Sequence, residues 1–311
     1  MTLTRSSRLR AAAALAVLTL AGCGQPAGTP APEARTVASV HQATPRAVTG
    51  TTVVAAGDVV CAPGSPATAD SCQQRATAAL VTSLKPVRVL ALGDLQYERG
   101  ALPAFRRAYA DSWGAFKRRT RTVPGNHEYN TPGASGYYRY FHQQPPGYRA
   151  ISIGSWRAYL LNSNCTQVDC AAERAWLRRD LEAHPTACTL VAMHHPRYSS
   201  GPHGSQRSVT GLWRTAYRQH VDLALAGHDH LYERFAPMNA TGQRRADGIV
   251  SFVVGTGGAS LYQRQSHAPG SRYFQAGSFG VLELTLGDGE FAWAFHTLDG
   301  TVRDGGSHAC H

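Results

Sequence analysis

The sequence predicts an α/β fold, a layered α/β/β/α sandwich with two central sheets and flanking helices. Three observations carry that expectation. Short apolar runs alternate with helical patterns through most of the chain, strands follow one another near its end, and five of the apolar runs stop at polar residues suited to holding a ligand. Runs of four or five apolar residues fit strands buried on both faces, and in sheets of that kind ligands gather beyond the carboxyl ends of the strands.

Residues 1–22 read as a lipoprotein-type signal peptide. Arg5, Arg8 and Arg10 precede the apolar run Ala11 to Leu20, and Leu20-Ala21-Gly22-Cys23 resembles a bacterial lipobox. The run is shorter than the roughly 20 residues an ordinary membrane span needs. Cleavage before Cys23 would leave that cysteine to carry a lipid, and a plain secretory leader is the alternative. Residues 23–50, rich in Pro, Ala and Thr and without hydrophobic periodicity, read as a flexible tether, and residues 51–311 as the folded domain.

Composition narrows the partners. The formal net charge is +11, and the leader contributes three arginines and no acid, which leaves +8 for the remainder. Such an excess favours anionic substrates and surfaces. No dense Lys/Arg run interleaved with aromatics is present, so no nucleic-acid partner is indicated. Apart from Cys23, the cysteines are Cys61, Cys72, Cys165, Cys170, Cys188 and Cys310. An even number in an exported chain points to disulfides rather than to a cysteine metal site. The short spacings suggest Cys61 with Cys72 and Cys165 with Cys170, leaving Cys188 for Cys310.

The elements follow from period and punctuation. Thr52 to Ala56 is the first strand, Ser71 to Leu84 a helix, and Val89 to Leu92 the next strand. Ala104 to Arg118 is helical in pattern, with Phe105, Tyr109, Trp113 and Phe116 as an aromatic stripe suited to core packing. Ala150 to Ile153 and Ala158 to Leu161 form a strand pair around Gly154-Ser155. Cys170 to Leu181 is an amphipathic helix with Leu177 and Leu181 inward. Thr189 to Met193 is a strand, Leu212 to His220 a helix, and Val221 to Ala226 a strand. Ile249 to Val254, Val281 to Leu286 and Phe291 to Thr297 belong to a second sheet.

The polar residues at the strand ends form one series: Asp58, Asp94 with Tyr97, Asn126 with His127, His194, and His228 with His230. Gly57-Asp58 alone is a common turn. Two imidazoles at alternate positions, as in Gly227-His228-Asp229-His230, suit chelation by neutral nitrogen donors. Their succession on consecutive strand ends is what makes a shared site the better account.

On the blocks Gly57-Asp58, Gly93-Asp94-Leu95-Gln96-Tyr97, Gly125-Asn126-His127-Glu128, Val191-Ala192-Met193-His194 and Gly227-His228-Asp229-His230, the chain resembles the calcineurin-like metallophosphoesterases, and among them the purple acid phosphatases. Many members carry a histidine two residues after the first aspartate. Here Val59 and Val60 follow Asp58, and Tyr97 stands where purple acid phosphatases place a tyrosinate on trivalent iron.

The resemblance implies two metal ions, with Asp58, Asp94, Tyr97 and His230 at site one and Asp94, Asn126, His194 and His228 at site two. It implies iron at the first and iron, zinc or manganese at the second. It further implies attack of a metal-bound hydroxide on phosphorus, with His127 contacting the phosphoryl group or protonating the leaving oxygen. His203, nine residues after His194, resembles a further substrate-facing histidine, and His195 has no ligand role in the motif. The implied protein is an exported phosphomonoesterase, lipid-anchored through Cys23 to the extracytoplasmic face of the membrane or secreted, with 51–311 as its catalytic domain. The alternatives are a phosphodiesterase acting on cyclic nucleotides or phospholipids, and a surface lipoprotein that binds metal or phosphate without turnover. The oligomeric state does not follow from the sequence.

Overall fold

The computed structural model describes residues 48–311. The leader expected over residues 1–22 and the tether expected over 23–50, as far as residue 47, lie outside the described residues. Thirteen strands form two sheets: β1 (Gly50–Ala56), β2 (Arg88–Ala91), β3 (Thr120–Thr122), β4 (Arg149–Ile153), β5 (Trp156–Leu160), β6 (Thr189–Ala192), β7 (Leu223–Ala226), β8 (Tyr232–Met238), β9 (Ile249–Val254), β10 (Ser271–Gln275), β11 (Gly280–Gly287), β12 (Glu290–Thr297) and β13 (Val302–Ala309). One sheet has six strands in the order β13-β12-β11-β1-β2-β3, and the other has seven in the order β10-β8-β9-β7-β6-β5-β4. The α-helices are α1 (Gln74–Leu84), α2 (Leu102–Ala104), α3 (Ser135–Phe141), α4 (Cys170–Ala183) and α5 (Thr210–Arg218).

The central strands pair in parallel, β1 with β2 and β2 with β3 in the first sheet, and β5, β6, β7 and β9 in the second. Parallel pairing puts the carboxyl ends of neighbouring strands at one edge, which is where the polar series begins. The two-residue period of a strand explains why these runs are apolar throughout. Leu190 and Ala192 of β6 join the core that includes β1, β2 and β11, while Val191 and the following Met193 face the core built with α4 and α5. Ala158 and Leu160 against Tyr159 and Leu161 repeat the division. Side chains also join the sheets, since the Trp156 indole N–H donates to the carbonyl of Gly287 on β11 at 2.8 Å.

The helix expected over Ala104 to Arg118 is the main correction. The segment is instead the single turn α2, a wide π-turn at Phe105–Tyr109 and a 3-10 run at Trp113–Arg119, kinked at Phe116. Phe105, Tyr109, Trp113 and Phe116 are nonetheless all buried, and Phe105 stacks on Tyr140 at 5.1 Å. Tertiary packing of the aromatics, rather than backbone periodicity, decides the path. The first helix starts later than expected, at Gln74, because Ser71 is drawn into bridges with Thr68 and Ser260 and Cys72 takes a left-handed φ of 60°. Strands β8, β10 and β13 were not expected, and the late strands do not share one sheet as expected: β9 pairs with β7, whereas β11 and β12 extend the sheet of β1.

All three disulfides form as the spacing suggested: Cys61–Cys72, Cys165–Cys170 and Cys188–Cys310. The last joins the start of β6 to the carboxyl terminus across 122 residues. Among the described residues, no helix is long and apolar enough to cross a membrane.

Candidate metal centre

Just past β1, β2 and β7, the chain turns sharply. Asp58, Asp94 and His228 adopt left-handed φ values of 59°, 48° and 74°, a region that disfavours side chains. These turns aim the three side chains back across the strand ends. Two glycines make the approach possible. A Cβ on Gly93 would lie 2.6 Å from Nδ1 of His194, and one on Gly125 would lie 2.1 Å from Oδ1 of Asp94.

Four groups converge on one side. The Tyr97 hydroxyl lies 3.0 Å from Asp58 Oδ1, 3.4 Å from Asp94 Oδ2 and 2.9 Å from His230 Nε2. Val60, two residues after Asp58, is fully buried in the apolar core. On the other side, His194 Nε2 lies 3.1 Å from Asn126 Oδ1, 3.2 Å from Asp94 Oδ2 and 3.3 Å from His228 Nδ1. Asp94 Oδ2 therefore touches both groups.

The free ring nitrogens are set by partners behind them. His194 Nδ1–H donates to the Leu92 carbonyl at 2.9 Å, and His230 Nδ1 bonds Ser260 Oγ at 2.8 Å, so each presents Nε2. The second oxygens of the aspartates are also held, Asp58 Oδ2 by the N–H of His228 and Asp94 Oδ1 by the N–H of His127, both at 2.8 Å.

Electrostatics suit a cation. Asp58 and Asp94 are buried, and among the described residues their ion pairs are with His230 and His194 rather than with lysine or arginine. Burial opposes ionisation of Asp94, yet His194 and His127 hold its carboxyl well below the usual range, and the same contact lifts His194 to about 9 despite burial. Burial, then neighbouring imidazoles, lower His228 and take His195 down to about 3, which keeps both in the neutral form that ligates metals. Burial and the carboxylates of Asp58 and Asp94 push the Tyr97 phenol well above its ordinary value, so a phenolate needs a cation beside it.

A sequence model of the calcineurin-like phosphoesterase family matches residues 51–232, more than half of the chain. The chain belongs to that family. Family membership implies two metal ions, and the seven side chains above supply donors for two. Among curated relatives, purple acid phosphatase 21 of Arabidopsis thaliana is 29% identical over 170 residues, covering 50% of this chain and 36% of that protein. Purple acid phosphatase 22 of the same plant is 26% identical over 245 residues, covering 66% and 52%. The chain thus spans about half the length of these relatives, or less. The solved structure of purple acid phosphatase PPD1 from yellow lupin (Lupinus luteus) seeds matches with a TM-score of 0.66 at 20% identity, over 86% of this chain and 55% of that one, and shows that the fold is shared.

His127 and His203 lie at the edge of this cluster. The His127 ring lies 4.5 Å from the Tyr97 ring, and its Nδ1–H donates to the Glu98 carbonyl at 2.8 Å. His203 is exposed and stacks on His228 at 4.3 Å. Its loop is anchored from within the last motif, since Asp229 accepts the N–H of His203 at 2.9 Å and the Ser199 hydroxyl. Sequence reading assigned Asp229 no role. A buried aspartate between two histidines was the available signal, because an acid there needs donors. Tyr262, stacked on His230 at 4.1 Å, lies in a segment without a legible pattern.

Glu128 was quoted in a motif without a task, and the structure gives it one. Its carboxylate accepts the N–H groups of Gly125 and Asp94 on Oε2 at 2.7 and 2.9 Å, and those of Leu95 and Gln96 on Oε1 at 2.9 and 3.3 Å. It ties the loops after β2 and β3 together beneath the site. Burial and the Asp94 carboxylate push it up, to about 8, against the pull of these donors. Glu128→Gln turns an NH2 group toward at least one pair of N–H donors. Urea unfolding of the variant is expected to show a loss of about 3 kcal/mol. A loss below about 0.5 kcal/mol would mean that the loops hold their form without it.

Proposed function

We propose that the protein is an exported, metal-dependent phosphomonoesterase with a binuclear centre. The observation that carries this reading is the position of Asp94 Oδ2, 3.4 Å from the Tyr97 hydroxyl and 3.2 Å from His194 Nε2, between two complete donor sets. Asp58, Asp94, Tyr97 and His230 would hold one ion and Asp94, Asn126, His194 and His228 the other. The fit rests on two buried carboxylates whose ion pairs, among the described residues, are with histidines and not with lysine or arginine. Bound there, two cations would polarise the phosphoryl oxygens and activate water. A hard phenolate at site one favours iron, and site two would take iron, zinc or manganese.

The chain's own residues supply the rest. His127 faces a cleft of about 470 Å3 that also includes Tyr97, His230 and Tyr262. Because the Glu98 carbonyl accepts from Nδ1–H, Nε2 is the ring nitrogen left to exchange a proton with the leaving oxygen. His203, on the loop anchored by Asp229, would contact the phosphoryl group. The disulfides support folding in an oxidising compartment, and the reading includes a leader over 1–22 with a lipid-anchoring Cys23.

A phosphodiester is the second reading. A further cleft of about 430 Å3, lined by Asn126, Asn164, His195 and Gln206, lies beside the other donor set, so both sides of the centre could take an organic group. Turnover of p-nitrophenyl phosphate against bis(p-nitrophenyl) phosphate separates the two. The monoester is expected to give at least about tenfold higher kcat/KM, equivalent to about 1.4 kcal/mol of transition-state preference. The reverse order would establish the diesterase reading.

A further inference from the structure

Immediately after His194 comes a second histidine that the family motif leaves without a task. A ring nitrogen of His195 lies within 4.8 Å of those offered by both His194 and His228. The His195 ring centroid is 5.0 Å from that of His194 and 4.5 Å from that of His228. The resemblance read from the sequence gives His195 no ligand role. The structure places it among the candidate ligands.

Its orientation repeats that of the other candidate ligands. His195 Nδ1 bonds Ser163 Oγ at 2.8 Å, and the same oxygen accepts the His195 backbone N–H at 3.0 Å. His230 is fixed by Ser260 Oγ in the same manner, and His194 by the Leu92 carbonyl. In each case a partner occupies Nδ1, which leaves Nε2 as the nitrogen free to ligate, as histidine ligands are commonly held.

Building on the proposed binuclear reading, we infer that His195 is an additional ligand of site two, bonding the metal through Nε2. Site two then has three imidazoles beside Asn126 and Asp94. Imidazole suits zinc and other late transition ions, whereas manganese and magnesium favour oxygen donors. His195 therefore selects for zinc-like ions at site two.

The test uses the full chain, stripped of metal and titrated with zinc and, separately, with manganese against a chromophoric chelator. His195→Ala is expected to weaken zinc binding at one of two sites by about 10–100-fold while changing manganese affinity less than about threefold. His195→Gln, which keeps bulk without an imidazole, is expected to do the same and guards against misfolding of the alanine variant. In the cobalt-substituted protein, both variants are expected to change the visible d–d bands. Unchanged zinc affinity and an unchanged cobalt spectrum, with two metals still bound, would overturn this inference and leave the binuclear centre standing. Fewer than two metal ions per unsubstituted chain after reconstitution with iron and zinc together would overturn both.

Discussion

Asp94→Asn is expected to leave the protein folded and nearly inactive, with kcat for phosphate ester hydrolysis reduced by about 10⁴-fold or more. The reason is geometric. Oδ2 of Asp94 is the atom within reach of both Tyr97 and His194, so its charge serves both donor sets at once. Asparagine keeps the size and can keep the Oδ1 bond to the His127 N–H, but it offers a neutral amide where the two sites meet. Metal analysis of the purified variant should show fewer than two ions per chain. Full occupancy with retained turnover would mean that the bridging position is not the organising feature of the centre.

His127→Ala is expected to separate turnover from metal binding. The histidine reaches the donor sets through its backbone N–H, which the alanine variant retains, while its ring stands against Tyr97 at the cleft. Loss of the ring should reduce kcat by about 10³-fold, within the range for removal of a positioned proton donor, with metal content unchanged. Unaltered kcat would remove His127 from the chemistry. Loss of metal instead would make it a support for Asp94.

Much of this was legible in the chain. The buried parallel strands announce themselves as unbroken apolar runs, and the site as polar residues at the ends of those runs, because the sheet must be covered on both faces and ligands sit at its carboxyl edge. The seven candidate ligands lie together at the strand ends, around the Tyr97 hydroxyl and around His194 Nε2. What stayed hidden depends on tertiary contacts. Tyr232–Met238 carries Glu233, Arg234 and Pro237, and reads poorly as a strand, although Glu233 is buried against Ser200 and Ser271. Val302–Ala309 contains Gly305 and Gly306 and lies at the edge of its sheet, half exposed and without an apolar pattern. The wide turn at Phe105–Tyr109 keeps the aromatics buried while breaking the helix that their spacing suggested. Glu128, Asp229 and Ser163 work by accepting hydrogen bonds from residues up to 34 positions away, and one-dimensional spacing carries no trace of that.

The most direct test is metal content together with a visible absorption spectrum of the reconstituted protein and of Tyr97→Phe. The account predicts two metals per chain and a tyrosinate-to-iron charge-transfer band that vanishes in the variant. Chains that take up no metal on reconstitution would contradict the binuclear centre. Two metals with no such band would move Tyr97 out of the ligand set and iron out of site one.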